Sequence, residues 1–122
     1  MLQKSRDAHV DAADMLWIDR RVDNHSVIVR AVGEVDLVTA PLLSTQLAMA
    51  VAVVVPPAPV VLDLEGVSFL SAQGLKVLLR HHQRCVDLGS RLEIFGGRVV
   101  RRVVAAAGVD QVLLIRSPAP ST

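Results

Sequence analysis

The apolar positions of this chain follow two different periods. From Met15 to Val22, and again over "VIVRAVGEV" (Val27 to Val35), β-branched and other apolar residues gather in short runs, which predicts two strands. "DNHS" (Asp23 to Ser26) between them is made of turn formers, so the strands are expected to pair as a hairpin. Gly33, near the end of the second run, marks a bulge or bend. The period then lengthens. Leu43, Leu47, Ala50, Val51 and Val54 share one helical face, in a segment that Thr39 and Pro41 open and "PPAP" breaks.

The alternation repeats down the chain. "VVLDL" (Val60 to Leu64) is short, apolar and bounded by turn residues, as a central strand should be. A second helix is expected from about Gln73 to Leu88, with Gly89 as its stop. Leu75, Leu78, Leu79, His82 and Val86 are assigned to its inner stripe; His81, Lys76, Arg80, Gln83, Arg84 and Asp87 are assigned to its outer face. "RLEIF" (Arg91 to Phe95) predicts another strand. A third helix over roughly Arg98 to Ala107 points Val99, Val100, Val103, Val104 and Ala107 inward. Gly108 ends it, and "QVLLI" predicts a last strand. The order is β-β-α-β-α-β-α-β. It implies an α/β fold: one domain over 15–116, with a mixed, mostly parallel sheet of about five strands and three helices. Residues 1–14 read as a loose arm and 117–122 as a short tail.

Composition narrows the function classes. With 122 residues, 52% of them hydrophobic, the chain can bury a core without staples. Aromatics are only 2% and the formal net charge is +1, which argues against a nucleic-acid binder with a basic, stacking face. Cys85 stands alone, so neither an internal disulfide nor a cysteine metal cage can form; this fits a reducing cytosol. No apolar run reaches the ~20 residues of a membrane span, and a cytoplasmic protein is expected.

Candidate chemistry is sparse. Adjacent His81 and His82 point about 100° apart on a helix and cannot share a metal as an i, i+4 pair could. No phosphate loop of the Walker type is present. Asp63 and Glu65 read as solvent-facing acids at a strand end, and Cys85 as a small buried filler. Neither a cofactor nor a metal is expected, and without a nucleophile–base pair neither is an enzyme. "FLSAQGL" (Phe69 to Leu75) is more informative. It joins a strand to a helix start, where unpaired amides and the positive dipole end receive a capping side chain or an anion. Ser71 is the capping candidate, and Gln73 occupies the mouth of the helix.

Three motifs in order resemble the STAS-domain anti-sigma factor antagonists of bacteria. "GEVDLVTAPLL" is similar to the family's G-E-L-D-x-x-T-A-P segment. "VVLDLEGVSFLSAQGLKVLL" is similar to its V-x-L-D-L-x-x-V-x-F-x-D-S-S-G-L-x-x-L segment, and "RLEIFGGRVVRRVVAAAGVDQVLLI" to its closing strand, helix and strand. The resemblance runs from about Trp17 to Ile115. It implies a regulatory binding module that captures a cytosolic anti-sigma factor, often an ATP-binding serine kinase, and so controls sigma factor release and transcription. It further implies a partner surface of Gly33, Glu34, Asp36 and Thr39 beside Ser71, Ala72, Gln73 and Gly74. In the family the kinase phosphorylates the second serine of D-S-S-G-L; aligned on Phe69 and Gly74, that position is Gln73, which has no hydroxyl. Binding without this phosphoswitch is the expectation. The rival expectation is a scaffolding subunit that self-assembles. It rests on the first helix, whose outward positions Leu42, Met49, Ala52 and Val53 would suit a homodimer.

Overall fold

The computed structural model describes residues 8–11 and 15–116. The elements are β1 (Ala8–Asp11), β2 (Leu16–Asp23), β3 (Ser26–Val35), α1 (Ala40–Val53), β4 (Val60–Leu70), α2 (Ala72–Leu88), β5 (Leu92–Gly96), α3 (Arg98–Ala106) and β6 (Ile115–Arg116). The strands form one sheet in the order β1-β2-β3-β4-β5-β6. The expected α/β order is present. It is preceded by one more strand, because residues 8–11, expected in a loose arm, pair antiparallel with β2. The rest of that arm and the expected tail lie outside the described residues.

β2 and β3 form the hairpin, closed by Asn24 and His25. Asn24 takes the left-handed conformation (φ 58°) that Asn tolerates in tight turns. From β3 onward every pairing is parallel. The steps β3–α1–β4, β4–α2–β5 and β5–α3–β6 each move one strand in the same direction, so right-handed crossovers put all three helices on one face of the sheet. Against that face lie Val27, Val29 and Ala31 of β3, Val60, Leu62 and Leu64 of β4, and Ile94 of β5, all buried. Leu43, Leu47, Ala50 and Val51 of α1 cover them. The opposite face carries Arg30, which stands over the Trp17 ring with its guanidinium carbon 5.9 Å from the centroid and lies 4.0 Å from Asp63.

Several side-chain assignments change. In α2 the buried face is Gly74, Leu75, Val77, Leu78, His81 and Cys85. His81 is buried, whereas Val86 is exposed and His82 and Leu79 are half-buried. The stripe is rotated by about one residue, 100° of helix. In α3 the buried residues are Val100 and Val104, four apart on one narrow stripe; Val103 beside them is half-buried, Val99 farther round the helix is exposed, and Ala107, beyond the last residue of α3, is exposed as well. The last strand is only Ile115–Arg116, since Val112 and Leu113 donate back to the Val109 carbonyl in a turn that drops Leu113 into the core. Leu42 is half-buried against the core and does not face outward.

The helix ends follow local chemistry. Gly89 is left-handed (φ 81°), and the donations of Gly89 N–H to Val86 and of Ser90 N–H to Cys85 close α2 as a Schellman motif. Cys85 is fully buried, and burial pushes its thiol pKa up, as suits an inert filler. No described helix is long and apolar enough to cross a membrane.

Candidate partner-binding surface

Two turns meet at the carboxyl end of the central parallel strands, where α/β sheets commonly place their sites. The first turn, 36–39, joins β3 to α1; the second joins β4 to α2 through Ser71. The Ser71 N–H donates to the Val35 carbonyl at 2.8 Å, and Ser68 Oγ donates to the Gly33 carbonyl at 3.3 Å. Gly74 sits where a Cβ would come within 2.6 Å of Leu70 Cδ1 and 2.7 Å of Val35 Cγ1. The absence of a side chain lets α2 start hard against the end of β3.

Asp36 opens α1 as a capping group. Its Oδ1 accepts from the N–H groups of Val38 and Thr39, both at 2.9 Å, and its carbonyl accepts from Ala40 N–H at 2.8 Å. Thr39 Oγ1 answers by accepting from Asp36 N–H at 2.9 Å while donating to the Glu34 carbonyl at 2.7 Å. The pair bonds reciprocally in the manner of a capping box, but within the turn that leads into α1, with Thr in place of the usual Glu or Gln. The Thr39 backbone donor, with help from the other hydrogen bonds, holds the Asp36 pKa below its ordinary value; partial burial works against them. Thr39 is fully buried, so Thr39→Val strands the Asp36 N–H and Glu34 carbonyl and should cost about 1–3 kcal/mol in a denaturant melt. Asp36→Asn retains an acceptor oxygen and should leave Tm nearly unchanged. It therefore separates any role of the charge in partner binding from the cap.

Ser71 caps α2, its Oγ accepting from Gly74 N–H at 3.1 Å. Ala72 and Gln73 follow on the first turn, both exposed. Of the eight sequence-derived positions, Glu34, Ala72 and Gln73 thus present exposed side chains. Thr39 and Gly74 are buried supports, and Gly33, Asp36 and Ser71 lie half-buried between them. Asp36, Thr39 and Ser71 lie in the two adjoining turns, Gly33 and Glu34 at the end of β3, and Ala72, Gln73 and Gly74 in the first turn of α2.

Other residues join this surface without having been singled out by motif. Leu37 and Val38 are about 70% exposed (69% and 70%), and Phe69 is 49% exposed. Two consecutive aliphatic residues in a strand-to-helix turn were the available signal, because turns are ordinarily polar. Between the starts of α1 and α2 runs a groove of about 310 Å³ lined by Leu37, Pro41, Ser44, Gln73, Lys76 and Arg80, among others. Behind it, Ser44 Oγ meets Nε2 of His81 at 3.1 Å. Among the described residues no group of His, Cys, Asp and Glu is placed to hold a metal ion. What the two turns and the groove offer is exposed apolar area from Leu37, Val38 and Phe69, the neutral amide of Gln73 and the cations Lys76 and Arg80.

A family model for the STAS domain matches residues 18–119. The chain is 29% identical over 89 residues to the anti-sigma-F factor antagonist RsfA of Mycobacterium tuberculosis, covering 72% of this chain and 70% of that relative. The crystal structure of an anti-sigma factor antagonist from Mycobacterium paratuberculosis superposes with a TM-score of 0.73 at 29% identity, covering 87% of this chain and 89% of that one. The unphosphorylated anti-sigma factor antagonist SpoIIAA shares the fold, with a TM-score of 0.69 at 16% identity over 84% of this chain and 88% of its own. The sheet order, the two adjoining turns and a family match over most of the chain agree: this chain belongs to the STAS domain family.

Proposed function

We propose that this protein is an anti-sigma factor antagonist that binds its anti-sigma factor through the two turns and is not controlled by phosphorylation at position 73. The observation that carries the reading is the placement of Gln73. It is exposed on the first turn of α2, beside Leu37, at the position the family resemblance gives to the phosphorylated serine. Gln has no hydroxyl to accept a phosphoryl group, and it is neutral, like the unmodified serine. Exposed Leu37, Val38 and Phe69 supply apolar area that a partner would cover. The relatives named as anti-sigma factor antagonists support the same partner class. The reading involves no bond-making chemistry: binding to the anti-sigma factor competes with its hold on a sigma factor, and transcription follows.

The test begins with affinity capture from the source bacterium and identification of the bound anti-sigma factor. Incubation with that protein and ATP should leave position 73 free of phosphate and the complex intact. Gln73→Glu adds a charge with little change of shape, at a surface that must be desolvated on docking. It should weaken the complex about fivefold or more. Equal binding by Gln73→Glu would remove this turn from the interface. Phosphate appearing on Ser68 or Ser71 with loss of the partner would mean that the switch has moved to a neighbouring hydroxyl.

A second reading, self-association as a scaffolding subunit, draws on a different patch. Met49, Val53 and Val55 at the far end of α1 are each roughly half exposed (45%, 51% and 48%). Sedimentation of the full chain beside Met49→Lys decides it: a monomer at high concentration for the unchanged protein excludes a dimer through α1.

A further inference from the structure

Helix α2 carries Lys76, Arg80 and Arg84 at successive i, i+4 positions, all exposed. They form a line of three cations that begins one turn beyond Gln73. Lys76 and Arg80 line one wall of the groove between α1 and α2. The opposite wall cannot neutralise them, because α1 from Ala40 to Val53 contains no charged residue. The ion pairs among the described residues involve Arg30, Arg91 and Arg116, and none of the three α2 cations. The acid nearest in sequence, Asp87, accepts from Gln83 Nε2 at 2.9 Å. Like charges one helical turn apart repel, by a few tenths of a kcal/mol per pair, so the row weakens α2 unless something opposite in sign lies along it.

The shape and lining of the groove restrict the occupant. Leu37, Ala40, Pro41 and Val77 give it an apolar floor, Ser44 offers a hydroxyl, and Gln73 closes the end at the two turns. No aromatic side chain lines it, so it has no platform on which a nucleobase could stack. The three cations advance about 6 Å per step along α2, the rise of four helical residues. Carboxylates spaced i, i+4 and i+8 on a second helix advance by the same amount.

We propose that the α1–α2 groove docks an acidic amphipathic helix of the protein partner, with carboxylates at i, i+4 and i+8 paired to Lys76, Arg80 and Arg84 and one aliphatic side chain laid on Leu37 and Pro41. The proposal extends the surface described above and rests on that reading only for the identity of the partner. It adds a chemical signature the partner must carry. It also accounts for how a chain of near-zero net charge could select one partner: the charge is arranged along a contact line, where it directs register and association rate more than total affinity.

The experiment uses the full chain and two synthetic helical peptides. One has Glu at i, i+4 and i+8 with a single Leu; the other is identical with Gln in place of Glu. Backbone amide shifts of the labelled protein report where each binds. The Glu peptide should move amides of 37–44 and 73–84. Its affinity should fall about tenfold or more in the Lys76→Glu, Arg80→Glu double variant. Raising NaCl from about 50 to about 300 mM should also weaken it, because the contacts lie within reach of screening. The Arg101→Glu, Arg102→Glu variant makes the same charge change on α3 and should leave binding unaltered. Equal binding of the Gln peptide, equal loss in the α3 variant, or no shifts at millimolar peptide each overturns the proposal. No anti-sigma factor takes part in this assay, so its outcome and that of the capture experiment can fail separately.

Discussion

Gly33→Ala should destabilise the protein by roughly 2–4 kcal/mol, the largest cost expected of a single methyl group anywhere in this fold. Two independent effects converge there. The residue has φ +122°, a conformation that L side chains rarely adopt. An added Cβ would also lie 2.1 Å from the Met15 carbonyl oxygen and 3.0 Å from its carbon. That carbonyl cannot simply withdraw, because it accepts the Glu34 N–H at 2.7 Å. Relief therefore requires movement of the β2 start, of the register shift between Gly33 and Glu34 in β3, or of both, and that shift sets the height of Glu34 beside Phe69 in the proposed partner surface. Gly89→Ala is the control. Gly89 also has positive φ (81°), but nothing lies within 4 Å of its would-be Cβ, so only the left-handed penalty of about 1 kcal/mol applies. Urea unfolding of both variants gives the comparison. If Gly33→Ala costs no more than Gly89→Ala, the Met15 contact is soft and the register shift does not hold the turn.

The fold was legible because its signals were local and agreed with one another. Two apolar runs around "DNHS" specify a hairpin, and Pro41 and "PPAP" delimit α1. The remaining strands and helices alternate with Gly or Pro at most joints. Two things were not local. The pairing of residues 8–11 with β2 comes from an open sheet edge that offers unpaired backbone groups, and a polar, mixed-charge segment gives little sign of such pairing. The shortening of the last strand comes from the Val109 carbonyl, which captures the N–H groups of Val112 and Leu113 and turns an apolar run into a plug.

The rotation of the α2 stripe has an equally specific cause. Leu75, Leu78, Leu79, His82 and Val86 form a plausible hydrophobic face on paper. The true face is narrower in apolar content because it includes Gly74, His81 and Cys85. Gly74 turns inward to clear Val35 and Leu70, and that contact sets the rotation of everything after it. For the site, motif spacing located both turns, and Ser71 caps α2 as its residue type and position suggested. The reciprocal bonding of Asp36 and Thr39 was less legible, since both stand before the first residue of α1, where a Thr hydroxyl in place of Glu or Gln is an uncommon partner for such a turn. The exposure of Leu37, Val38 and Phe69 depends on what packs beside them, which periodicity does not report.

The same rotation buries an ionisable ring, and a pH dependence follows. His81 is 1% exposed; Nε2 meets Ser44 Oγ, while Nδ1 has no hydrogen-bond partner among the described residues. Burial first, and then the charges of Arg84 and Arg80, lower its pKa from 6.5 to about 4. Above pH 6.5 the ring is neutral in both folded and unfolded chains, and its contribution to stability is at its maximum. As pH falls below 6.5 the unfolded chain takes up a proton that the folded protein refuses, so stability declines. The decline ends near pH 4, where the folded ring is protonated as well. The gap between those pKa values sets the loss at up to about 3 kcal/mol. The lowered pKa of Asp36 acts in a separate window: its contribution is present above 3.8 and is lost below that. Urea midpoints measured from pH 7.5 to 4.5 should therefore fall steadily in the unchanged protein. His81→Leu removes the titrating group and fills similar space, so its profile over the same range should be nearly flat. Parallel slopes for the two proteins would mean that His81 titrates alike in the folded and unfolded states and is not held neutral between α1 and α2.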